Sequence, residues 1–131
     1  MDLATIVPSA RTVDIKIPGT QKNIGLRFTI LSVLDDRMIS VRRQLLDLGL
    51  QRSQRGKPLT SIDVEANEIK VLSEGITGWE WTEDDDGQPG NIGGKQPEFD
   101  KRVLGEILRK YPWMRSQLSE AMDDEKSFFQ E

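Results

Sequence analysis

The chain has 131 residues, 36% hydrophobic and 31% charged, with a formal net charge of −4. That length is one domain's worth, at roughly 100–200 residues per domain. It holds no cysteine and no histidine, which excludes a disulfide framework, thiolate or imidazole metal sites, and Ser-His-Asp or Cys-His nucleophilic machinery.

The elements follow in chain order. Residues 1–11 read as a flexible arm, with Pro8 breaking regularity. Val13, Ile15 and Ile17 alternate with Asp14 and Lys16, and after Pro18-Gly19 the alternation resumes at Ile24, Leu26, Phe28 and Ile30. Period two marks half-buried strands, so these two segments predict a β-hairpin. A lone hairpin is marginal in water and must pack on something. Ser32 and Asp35 have the spacing of a helix cap. Beyond them Leu34, Met38, Val41, Leu45 and Leu48 recur at four, three, four and three, the apolar stripe of a first helix. Gly56-Lys57-Pro58 stops it.

Thr60 and Asp63 repeat the cap signature before Ile62, Ala66, Ile69, Leu72 and Ile76, a second helix ending near Gly75. Trp79 and Trp81 flank Glu80 and face one side of an extended segment. Residues 82–97 hold four glycines, two prolines and four acids, the composition of a flexible acidic loop. Asp100 caps a third helix carrying Val103, Leu104, Ile107, Leu108 and Tyr111, and Pro112 suits the first position of a fourth. The tail, 123–131, is acidic and then aromatic. The predicted fold is a single α+β domain over 1–131, mainly α: an N-terminal β-hairpin packed on about four short helices.

Charge is divided along the chain. Residues 1–57 hold 10 basic and 5 acidic side chains, +5, whereas 58–131 hold 8 and 17, −9. Between Arg37 and Lys57 six basic residues stand against Asp47 alone. A dipolar subunit suits steering toward a charged surface or head-to-tail self-association.

Three tempting motifs fail on their chemistry. Aligning Gly87 with the invariant glycine of an EF-hand loop puts Thr82 at the first ligand position and Gly93 where the bidentate Glu belongs. Gly90–Lys95 lacks the leading glycine and the closing Ser/Thr of a phosphate loop. The basic first helix is followed by one with Asp63, Glu65, Glu68 and Glu74 against Lys70, which phosphates would repel, so nucleic-acid binding is not expected. Carboxylates can do acid–base work, but no pair is marked out by spacing. Catalytic residues, cofactors and metals are therefore all expected to be none. No apolar run of about 18 residues marks a membrane span, and no leader is expected at the N-terminus.

The order of short motifs resembles the tail assembly chaperones of long-tailed, lambda-like bacteriophages. The carrying residues are Thr77-Gly78-Trp79-Glu80 after the second helix, Phe99-Asp100 opening the third, the run Tyr111-Pro112-Trp113-Met114-Arg115-Ser116-Gln117-Leu118, and the acidic stretch from Glu120 to Phe128. Met114 stands where the family pattern has Ile, and the loop between Trp81 and Phe99 is unusually acidic and Gly-rich. The resemblance implies a protein of the host cytoplasm, absent from the mature virion. It would coat the tape measure protein, engage the tail tube protein, associate with itself into rings or filaments, and correspond to the short form where a frameshifted extension exists. The alternative reading is a small phage or bacterial adaptor that binds an acidic protein or DNA through its basic helix.

The candidate protein-binding residues are Arg42 and Arg43 on the basic helix, Trp81 beside the loop, and Phe128 and Phe129 at the tail. Each has a plainer alternative: solvated helix charges for the arginines, packing for Trp79, Trp81 and Trp113, and a local hydrophobic contact for the phenylalanines.

Overall fold

The structure is a computed structural model that describes residues 1–124 and Phe128. Strands β1 (Arg11–Lys16) and β2 (Asn23–Ile30) form the expected antiparallel hairpin, and α1 (Asp36–Gln54) and α2 (Ser61–Gly75) follow. A third strand, β3 (Ile76–Trp81), returns to pair antiparallel with β2, so β2 is central in a three-stranded sheet. Helices α3 (Lys101–Lys110) and α4 (Pro112–Asp123) complete an α+β fold. The arm before β1 contains a single turn of 3₁₀ helix at Leu3–Thr5.

The pleat sorts the sheet into two faces. Leu26, Phe28 and Ile30 of β2 and Ile15 of β1 are buried. Trp79 and Trp81 stand opposite Phe28 and Leu26, and so share the core face. On the other face Asp14, Arg27 and Glu80 line up across the three strands, with Arg27 bonded to Asp14 at 2.8 Å and Glu80 at 3.2 Å. That placement raises the Arg27 pKa, chiefly through its bond to Asp14.

The helix starts follow local rules. Thr60 and Asp63 make a full capping box for α2, the Asp100 carboxylate accepts from the first-turn amides of α3, and Pro112 opens α4. At α1 the cap is Asp35, whose side chain accepts from Arg37 N–H. Ser32 is instead buried in the preceding turn and accepts from Leu34 N–H. A bond from Arg37 pulls the Asp35 carboxyl pKa down.

The core forms where Met38, Ile69, Leu72, Leu104, Leu108, Leu118 and Met122 meet the buried sheet residues. Helix α4 is fastened to the edge strand by a reciprocal pair, in which Lys16 N–H donates to Gln117 Oε1 at 2.8 Å and Gln117 Nε2 donates to Lys16 O at 2.9 Å. The β1–β2 register shifts between Asp14 and Lys16, so a helix side chain satisfies backbone groups near the point of irregularity. Arg115 is likewise largely buried and donates to Leu108 O at 2.7 Å.

Segment 82–97 forms no helix or named strand but is fastened to the sheet. Thr82 N–H donates to Gly25 O at 2.8 Å, and within the segment Gly90 N–H donates to Thr82 O at 2.9 Å, which brings Gly90 against Gly25. Asp85 accepts from Asn23, and both Trp79 and Trp81 donate their indole N–H to Pro97 O at 2.9 Å. Composition predicts a loose acidic loop; the bonds to β2 and to the tryptophans are its non-local correction.

Candidate protein-binding surfaces

Helices α1 and α2 are antiparallel. Arg37 and Ser40, early in α1, line a cleft with Lys70 and Glu74, late in α2, while Arg52 near the other end of α1 pairs with Asp63 at 3.2 Å. Only the part next to the sheet and α4 is covered. Met38 and Val41 are buried, but Leu48, seven residues beyond Val41 on the same row, is 51% exposed. On α2, Ile69 and Leu72 are buried, whereas Ile62, seven residues before Ile69, is 79% exposed. The expected stripes are therefore real, but their outer ends, together with Leu34, lie in solvent. Ile39, Leu46 and Leu50 add a second exposed row on α1 that the stripe ignores, although their spacing of seven and four is visible in the sequence.

Arg42 and Arg43 are exposed on α1. Arg42 edges a cleft of about 210 Å³ with Asn67, Glu68, Val71 and α4 residues Ser119 and Met122. Trp81 is half-buried, its indole N–H is used by Pro97, and it shares a small cleft with Ile24, Tyr111 and Trp113. Trp79 packs edge-on against Phe28 and Phe99, with ring centroids at 6.0 and 5.0 Å. Phe128, a candidate protein-binding residue, instead makes the local hydrophobic contact that was its alternative: it is 1% exposed and belongs to the core. Its carbonyl accepts from Ser9 N–H at 3.1 Å, and the Arg11 guanidinium lies 5.6 Å from its ring centre. Phe129 lies outside the described residues. The candidate residues are thus not gathered into one site.

A surface the sequence reading missed lies beside α3. Ile92 and Pro97 of the loop, with Val103, Ile107 and Tyr111, line a mainly apolar groove of about 530 Å³, and Lys95, Glu106 and Lys110 also border it. The available signal was Ile92, the one large aliphatic residue within the acidic, glycine-rich stretch.

At the hairpin tip, Asp63 accepts from Thr60 N–H and Thr60 Oγ1, each at 2.9 Å, as well as from Arg52. These bonds, the Thr60 backbone N–H foremost, lower its pKa from 3.8 to about 2. A carboxyl whose folded pKa is depressed adds stability above its unfolded pKa and loses it as pH falls through the folded one. The tip is therefore expected to be fully latched above about pH 4 and released toward pH 2. A carbon-13 NMR titration should place the Asp63 midpoint near 2. Arg52→Gln should raise it only part of the way to 3.8, because the Thr60 bonds remain. A wild-type midpoint at 3.8 would contradict the latch.

Among the described residues, no helix is long and apolar enough to cross a membrane. No family model, curated protein or solved structure matches the chain.

Proposed function

We propose that this chain is a tail assembly chaperone of a long-tailed bacteriophage. Copies associate with one another, coat the tape measure protein, and recruit the tail tube protein in the host cytoplasm, without remaining in the virion. The observation that carries this reading is the α1–α2 hairpin. Its apolar rows run out into solvent, and it adjoins a turn rich in positive charge. Exposed apolar rows on paired helices suit a partner that is itself helical and insoluble alone. Many shallow contacts, rather than one deep pocket, suit a coat that must later leave. The order of short motifs from Thr77 to Phe128 adds the family resemblance.

The adaptor alternative draws on the same basic helix. The acidic α2 lies alongside α1, and Arg52 is already paired with Asp63, which weakens a phosphate-binding role.

The test is co-expression with a candidate tape measure protein. The expected result is a tape measure protein that moves from the pellet to the soluble fraction and co-purifies. A tape measure protein that stays insoluble while the chain itself is folded and abundant would overturn the proposal.

A further inference from the structure

We infer that the outer edge of β3 docks an extended, basic segment of a partner protein, which joins the sheet as a fourth strand. The residues involved are distinct from the exposed rows of α1 and α2, and the inference does not depend on the chaperone reading.

The strand order β1-β2-β3 leaves the sheet two edges. The β1 edge is occupied. Gln117 takes both backbone groups of Lys16, and Ser9 N–H donates to Phe128 O just before the strand. The β3 edge has no such cover. Leu31 N–H donates to Gly75 O at one end of the β2–β3 ladder, and Thr82 N–H donates to Gly25 O at the other. Hydrogen-bonded pairs alternate along an antiparallel ladder. The backbone groups of Gly78 and Glu80 therefore face β2, and those of Trp79 and Trp81 point out of the sheet. Among the described residues no strand or bridge pairs with β3 on that side, and no bond from a loop or turn reaches the backbone of Trp79 or Trp81. Unpaired edge groups are a template for another strand, and a partner that adds one gains main-chain hydrogen bonds.

The solvent face of the sheet selects the partner's charge. Asp14, Arg27 and Glu80 alternate in sign across the three strands, and the row ends at the edge on Glu80, whose side chain is 63% exposed. Opposite-charge pairs stabilise facing strands, so a Lys or Arg opposite Glu80 on an added strand continues the alternation. Gly78 lies on the same face two residues away, and no atom beyond its chain neighbours comes within 4 Å of its Cβ position, which leaves room for a long side chain. After β3 the chain continues as Glu83-Asp84-Asp85-Asp86, which also favours a basic segment. A second copy is the poorer occupant. Residues 76–86 contain no Lys or Arg, so β3 paired with its own copy places no base opposite Glu80.

The test uses a capped heptapeptide, Thr-Val-Thr-Arg-Thr-Val-Thr, and its counterpart with Glu at the centre. In the free chain the amides of Trp79 and Trp81 should exchange with solvent faster than those of Gly78 and Glu80, as read by NMR. The Arg peptide should slow the Trp79 and Trp81 amides and bind about tenfold more tightly than the Glu peptide. Glu80→Gln should remove that preference with an unchanged circular dichroism spectrum. Methylating the alternate backbone nitrogens on the peptide's pairing edge should abolish binding. Trp79 and Trp81 amides as slow as those of Gly78 and Glu80 in the free chain, or no binding of the Arg peptide up to about 1 mM, would overturn the docking edge. Equal affinity of wild type for the two peptides would overturn the basic partner. Protection that rises with protein concentration alone would assign the edge to a second copy and overturn the partner proposed.

Discussion

Replacing Gly25 with alanine is expected to cost about 3 kcal/mol of stability and to lower the melting temperature by roughly 10 °C. Two effects add at this position. Gly25 has φ +88°, where an L side chain is strained. A Cβ there would also lie 2.7 Å from Gly90 Cα and 2.9 Å from Thr82 O, both backbone atoms that a rotamer change cannot move. Relief requires segment 82–97 to lift from β2, which breaks the bond that Gly25 O accepts from Thr82 N–H. Gly105→Ala in α3 is the control. Apart from its chain neighbours and its own helix backbone, no atom lies within 4 Å of its Cβ position, so the substitution should stabilise the helix by about 0.5–1 kcal/mol. Urea unfolding of the two variants measures both. Equal, small effects would mean that the loop is not seated on β2.

Truncating Phe128 to alanine is expected to destabilise the fold by about 3–5 kcal/mol, the range for deleting a buried aromatic side chain. Phe128 is 1% exposed, and its backbone is held by Ser9. Its packing thus also ties the N-terminal arm to the far end of the chain. Thermal unfolding of Phe128→Ala measures the loss. An unchanged melting temperature with weakened partner binding would instead assign Phe128 to partner contact. With a cost this large, effects of the variant on assembly have to be read beside its folded fraction.

The contrast between these two sites and the helix starts shows what a sequence carries. The Thr60–Asp63 box, the Asp100 cap and Pro112 are local features: their partners lie within three residues, so spacing alone reveals them. The strands of the hairpin are legible for the same reason, through alternation at Val13–Ile17 and Ile24–Ile30. Trp79 and Trp81 announce an extended segment, but not that it pairs with β2, because the partner lies about fifty residues away. The approach of Gly90 to Gly25 is hidden in the same way.

Periodicity has a second blind spot. It identifies the apolar face of a helix but not how far a covering surface extends. Val41 and Leu48 are equivalent by spacing, as are Ile69 and Ile62, yet one of each pair is buried and the other is in solvent. Among the candidate residues, Arg42 and Arg43 are exposed as a contact face requires, Trp81 is half-buried behind the loop, and Phe128 is core. A terminal aromatic pair is ambiguous in sequence because its burial depends on distant elements. The α3 groove went unread because half of its wall comes from a segment whose composition suggests no structure.

The division of charge between the two parts of the chain is the physical basis proposed here for association. Light scattering over a concentration series, repeated from low salt to about 1 M, where the Debye length is roughly 3 Å, addresses it directly. The predicted result is a mass that climbs well above the 14.9 kDa subunit at low salt. It should fall back as salt rises, and Arg42→Glu with Arg43→Glu should shift the wild-type curve toward monomer without unfolding. A chain that remains a monomer at high concentration and low salt would contradict it.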